Sequence, residues 1–110
     1  MARPTRALSP LALEAAGMLG AAVRVGRRQR RWTVAELAER VGVTEATMLK
    51  VERGDPGVRL GIALEAAALT GVPLFGEDRA RRQLERGRLD DRLSLLPQKV
   101  RPPREVDDDF

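Results

Sequence analysis

The sequence predicts an all-α protein, and three observations carry that expectation. Apolar residues recur at helical rather than alternating spacing: Val34, Leu37, Ala38 and Val41 fall at i, i+3, i+4 and i+7. Several stretches open with residues that start helices: Ser9-Pro10 in "SPLALE", Thr33 with Glu36 in "TVAE", and Thr44. Aromatic content is 3%, confined to Trp32, Phe75 and Phe110. A core built from Leu, Val, Ala and Met suits small packed helices better than a sheet. At 110 residues the chain holds one domain with a tail to spare.

Taken in order, residues 1–8 read as a flexible arm. Ser9 caps a first helix with Pro10 at its first position, and the helix extends to about Arg30 with Leu19, Val23 and neighbouring alanines on one side. Gly17, Gly20 and Gly26 weaken it, each by about 0.8–1 kcal/mol relative to Ala. A break is therefore expected near residue 18, and continuity of residues 9–18 with the rest stays open. Thr33 and Glu36 form a capping box for the second helix. Gly42 supplies a turn through its access to positive φ, Val43 packs inward, and Thr44 caps a third helix that ends at Gly54. The fourth helix, Leu60 to Thr70, is apolar nearly all round and stops at Gly71. Such a helix is buried on two sides, and the second side is expected to serve as a subunit surface, together with the helical segment after Phe75. That segment, "EDRARRQLERGRLDDRLSLL", is charged, with a break expected at Gly87 and with Leu89, Leu93 and Leu96 in register. From Pro97 the chain is Pro-rich, basic first and acidic last, and reads as extended or disordered.

Charge is placed unevenly. Residues 1–60 carry eleven Arg/Lys against six Asp/Glu, a net of +5, whereas residues 61–110 carry nine against ten, a net of −1. A basic N-terminal half points to a polyanion such as nucleic acid. It is concentrated in "RVGRRQRR", where Arg24, Arg27, Arg28, Arg30 and Arg31 are offered as phosphate contacts. The second and third helices with their Gly turn make a helix-turn-helix, whose second helix turns its outward face to the major groove. At 100° per residue Met48 and Val51 point inward, Ala46, Lys50 and Arg53 outward, and Glu45, Thr47 and Leu49 lie on the flanks. A small Ala46 permits close approach to base edges, Lys50 reaches guanine acceptors, and Glu45 accepts from cytosine N4. The competing reading of such charges is a merely solvated face.

The stretch "TVAELAERVGVTEATMLKVERGDPG" resembles the phage-repressor-like (XRE-type) regulators over about residues 19–74. The resemblance implies a five-helix phage-repressor-like helix-turn-helix domain, here with an N-terminal helical extension and an extended C-terminal tail: residues 9–96 and 97–110. It implies DNA-binding roles for Thr44, Glu45, Ala46 and Lys50, to which Arg28, Arg31, Thr33, Thr47 and Arg53 are added as neighbours, and a structural ion pair between Arg27 and Glu52. The chain departs from the family pattern at Val34 and Ala46, where Gln is usual, and at Leu49, usually polar. The two ends, "SPLALEAAGMLG" and "LPQKVRP…VDDDF", are similar to HipB-like antitoxins. That similarity implies a homodimer repressing its own promoter at an inverted repeat of double-stranded DNA, and binding a HipA-like Ser/Thr kinase toxin. Asp107, Asp108, Asp109 and Phe110 are the candidate partner-binding tail; a solubilising tail or a handle for degradation are the alternatives.

Other classes are disfavoured. The chain has no His, Cys or Tyr, and only Ser9 and Ser94 as serines, so Ser–His, Cys–His and imidazole-metal sites are out of reach. No cofactor is expected. The absence of Cys fits a reducing cytoplasm, no apolar run is long enough to span a bilayer, and the signal-like N-terminus is interrupted by Glu14.

Overall fold

The computed structural model describes residues 7–103. They form α1 (Pro10–Gln29), α2 (Val34–Val41), α3 (Glu45–Glu52), α4 (Leu60–Leu69) and α5 (Arg79–Ser94), with no strand among the described residues. The fold is all-α. By its internal contacts the chain divides into two compact units, Met1–Leu74 and Phe75–Phe110.

In the first unit α1 packs on α3 and α4, and α2 packs on the same two helices. Val23, Leu37, Ala38, Met48, Val51, Ala66 and Ala67 are buried at the centre, with Leu19, Trp32, Val34, Val43 and Ile62 among the half-buried side chains around them. Val23, Leu37 and Met48 are wholly buried, each contributing about 1.5–3 kcal/mol through apolar burial.

Helix starts follow the side chains that the sequence offers. The Ser9 hydroxyl accepts from the Ala12 amide at 3.1 Å. Thr33 and Glu36 close a reciprocal box at 2.7 and 3.0 Å, and Thr44 accepts from the Thr47 amide at 3.2 Å. The ends of α1–α4 share one geometry. The amides of Trp32, Val43, Asp55 and Val72 reach back five residues to the carbonyls of Arg27, Ala38, Lys50 and Ala67 at 2.9–3.1 Å. The preceding residue is left-handed in each case: Arg31 (φ 61°), Gly42 (89°), Gly54 (76°) and Gly71 (81°). Three of the four are glycine, as the steric cost of positive φ dictates. Arg31 is the exception.

Two expectations about glycine fail, for one reason in α1 and another in α5. Helix α1 is continuous from Pro10 to Gln29, so the N-terminal extension and the first helix are one element. Its glycines mark where other backbones come close: a Cβ on Gly20 would sit 2.7 Å from the Glu52 carbonyl oxygen, and one on Gly26 would sit 2.8 Å from Thr70 Cβ. Packing against α3 and α4 outweighs the propensity loss of about 1 kcal/mol per glycine. Within the unit α4 packs on both α1 and α2; Ala66, Ala67 and Thr70 are buried, Ile62, Ala63, Leu64 and Leu69 are half-buried, and Leu60 and Ala68 are exposed.

The second unit holds α5. It runs unbroken through Gly87, which has no atom of another residue near its missing side chain. Asp78 caps it, accepting from the Arg81 amide at 2.8 Å. No residue of α5 is buried. Ion pairs along its surface, Arg81–Glu85 at 3.6 Å, Arg86–Asp90 at 3.3 Å and Arg88–Glu85 at 3.3 Å, follow the spacing that supports exposed helices. The regular helix stops at Ser94, so Leu96 lies beyond the turn that would align it with Leu89 and Leu93. Residues 97–103 form no helix or strand; the arm residues 1–6 and the tail residues Asp107, Asp108, Asp109 and Phe110 lie outside the described residues.

Candidate nucleic-acid interface

The short helix α3 is held from behind and left bare in front. Met48, Val51 and Glu52 are buried, Thr47 is half-buried, and Glu45, Ala46, Leu49, Lys50 and Arg53 are exposed. The buried residues recur at three- and four-residue spacing, which fixes rotation of the helix against α1 and α2. The exposed ones therefore form a continuous outward strip. Thr44 adds its hydroxyl at the N-terminal end, donating to Thr47 Oγ1 at 3.0 Å. Thr33, exposed at the start of α2, uses its oxygen in the capping box and keeps its hydroxyl proton for an outside acceptor.

Beneath the strip lies an ion pair. Glu52 is 4% exposed and Arg27 8%. Arg27 Nε donates to Glu52 Oε2 at 2.6 Å and its Nη2 donates to Oε1 at 3.0 Å, a bidentate fork. The remaining Nη1 donates to the Trp32 carbonyl at 2.9 Å. The Glu52 carboxylate raises the Arg27 pKa above its ordinary value, against the opposing effect of burial. A raised pKa in a base stabilises the fold below its unfolded value and loses that contribution only as pH rises through the folded one. For a guanidinium that window lies above any working pH. The pair thus joins α1, α3 and the α1–α2 connection, with Arg27 charged throughout the working range.

The arginine run divides in two. Arg27 is committed to Glu52, and Arg24 sits over the same carboxylate at 3.4 Å. Arg30 donates to the Thr70 carbonyl at 2.7 Å and to the Gly26 carbonyl at 3.3 Å, fastening the end of α1 to the end of α4. Arg27 is thereby taken out of the five offered as phosphate contacts, since all three of its nitrogens are engaged inside the chain, whereas Arg24 and Arg30 commit only part of their guanidinium groups. Arg28 and Arg31 are exposed and make no side-chain hydrogen bond or ion pair among the described residues. Two further features escaped sequence reading. Arg40 lies over the Trp32 ring at 4.1 Å from its centroid, with Arg30 at 5.9 Å, so the one tryptophan anchors guanidinium groups beside the helix pair. A shallow cleft of about 430 Å³ also opens beside α3, lined by Thr47, Lys50, Asp55 and Arg59 among others.

Residues 18–82 match a family described as a helix-turn-helix domain. The chain belongs to that family. Comparison with curated proteins and with solved structures gives no significant match. The matched span begins inside α1 and ends in the first turn of α5, so it contains the whole of α2, the Gly42 turn and α3. Helix-turn-helix domains are typically non-enzymatic, DNA-binding modules, and this one is read as a DNA-binding regulator. Among the described residues no helix is long and apolar enough to cross a membrane, and no group of three or more acidic residues is arranged to hold a metal ion.

Proposed function

We propose that this helix-turn-helix protein is a sequence-specific transcriptional repressor that works in the cytoplasm as a homodimer on an inverted-repeat operator. The observation that carries the reading is the bare strip of α3, where Glu45, Ala46, Lys50 and Arg53 stand exposed on a helix fixed by its buried side. Its small and polar side chains suit base edges in the major groove, and Thr33, Thr44, Thr47, Arg28 and Arg31 flank it as phosphate contacts. Two such helices related by a two-fold axis would meet half-sites about 34 Å apart. The test is a mobility-shift series across salt with matched and scrambled duplexes. Affinity is expected to fall steeply with ionic strength, and Lys50→Ala to lose about 1–3 kcal/mol on the operator while relaxing discrimination at one base pair. Equal weakening on every duplex would move Lys50 from base to phosphate.

The finer reading is an antitoxin that represses its own operon and restrains a HipA-like kinase toxin. Its support is the resemblance of the chain's two ends and the composition of the tail, acidic at Asp107–Asp109 and closed by an aromatic at Phe110. Deletion of Arg101–Phe110 is expected to spare operator binding and weaken the hold on the kinase. A truncated chain that inhibits the kinase equally well removes the tail from the interface. The alternative, a stand-alone regulator, needs only the helix-turn-helix domain and predicts no kinase partner at all.

A further inference from the structure

Helix α1 has two faces, and only one is used by the fold. Gly20, Val23, Gly26 and Arg27 are buried against α3 and α4. Leu11 (72% exposed), Met18 (68%) and Val25 (55%) lie on the other side with their large side chains in solvent. Between them at the same helical angle stand Ala15 and Ala22. The five positions 11, 15, 18, 22 and 25 alternate four and three residues apart, the 3.5-residue period of a helix–helix seam. Leu8, 41% exposed just before the helix, continues the series. No charged side chain interrupts the stripe before Gln29.

We propose that this stripe is where two copies of the chain associate, with their α1 helices antiparallel. The inference rests on the dimer reading above and assigns it a surface. Self-complementarity is the first argument. Side-chain size alternates along the stripe as Leu, Ala, Met, Ala, Val. With a second α1 reversed, Leu11 faces Ala22 of the second copy, Ala15 faces its Met18, and Val25 faces its Leu8. Most layers then pair a large side chain with a small one, which fills space evenly. A parallel pairing would set Leu on Leu and Ala on Ala, alternately crowding and leaving gaps, and would align the two helix dipoles unfavourably.

Area is the second argument. A large aliphatic side chain removes on the order of 60–120 Å² from water. Leu11, Met18 and Val25 from two copies, with the alanines between, therefore bury roughly 400–900 Å² in total. This is smaller than a standard specific interface and suits a weak, reversible dimer. The stripe from Leu11 to Val25 runs for about four turns, a length that a second α1 matches throughout.

The experiment is sedimentation equilibrium of the full chain, with Met18→Glu and Leu11→Lys on the stripe and Leu93→Glu on α5 as the control. All three sites are exposed in the single chain, so circular dichroism is expected to show unchanged helix content. Either stripe variant should weaken self-association about tenfold or more, since each buries a charge without a partner, while Leu93→Glu leaves it unchanged. Direction is read from a cross-link. The chain has no cysteine, so a mixture of Ala15→Cys and Met18→Cys proteins with a short bis-maleimide should yield the mixed dimer in excess over either homodimer. If wild-type is dimeric and the stripe variants dimerise equally well, or only Leu93→Glu dissociates it, the assignment of α1 is overturned while the dimer reading stands. If wild-type is monomeric at every concentration and on DNA, both fall.

Discussion

The helices of the first unit and the helix of the second draw on the same residues yet are held by different means. α1–α4 interlock around Val23, Leu37 and Met48, all wholly buried. α5 buries nothing, and relies on the Asp78 cap and exposed ion pairs along its own length. A core stabilises by apolar burial and tolerates poor helix formers at the right places. A helix with no buried side chain depends on propensity, caps and neighbouring charges, each contributing a few tenths of a kcal/mol to about 1. Glycine exposes the contrast. Inside α1 it is where two backbones touch; inside α5 it faces open space.

That contrast can be tested by four substitutions, of decreasing effect. Glu52→Ala leaves Arg27 as an uncompensated buried charge and should destabilise the first unit by about 3–5 kcal/mol in urea denaturation. A loss below 1 kcal/mol would mean that water replaces the carboxylate and that the pair is peripheral to the fold. Gly26→Ala drives a methyl into Thr70 and should cost about 1–3 kcal/mol. Gly87→Ala, by contrast, meets no atom and should raise α5 helicity, with a gain of up to about 1 kcal/mol; a gain at both sites would refute the close approach of α1 and α4. The smallest effect is expected at Arg31→Gly. Glycine relieves positive φ but loosens the unfolded chain, so the net gain in stability is under about 1 kcal/mol. The same change should flatten the salt dependence of DNA binding by about one counterion. If that slope is unmoved, the left-handed arginine serves the turn alone.

What the sequence made legible was local. Ser9, Thr33 with Glu36, and Thr44 each announced a helix start within four residues, and the inward pair Met48 and Val51 followed from helical rotation alone. The misread features were those whose partners lie far along the chain. Gly26 looks like a weak point until Thr70, distant in sequence, is seen against it. Arg30 looks like free charge until the same Thr70 supplies a carbonyl at 2.7 Å. The α4 helix shows two apolar sides in the sequence, but not that α1 and α2 are the helices packed against it. Arg27 and Glu52 were paired through a family resemblance, since nothing in their spacing alone brings them together. The outward residues of α3 are legible as an exposed strip, whereas which bases they would meet is written in no single chain.

The brevity of α3 carries a last consequence. Eight residues make a rod about 12 Å long, and stacked bases rise about 3.4 Å each. On the proposed reading one copy would survey about four letters of text, a word that recurs roughly once in 256 at random and thousands of times in any bacterial-scale genome. Two copies reading in tandem would square that figure. An address in the genome would thus be spelled jointly, and the grip between copies would decide how much of it is read.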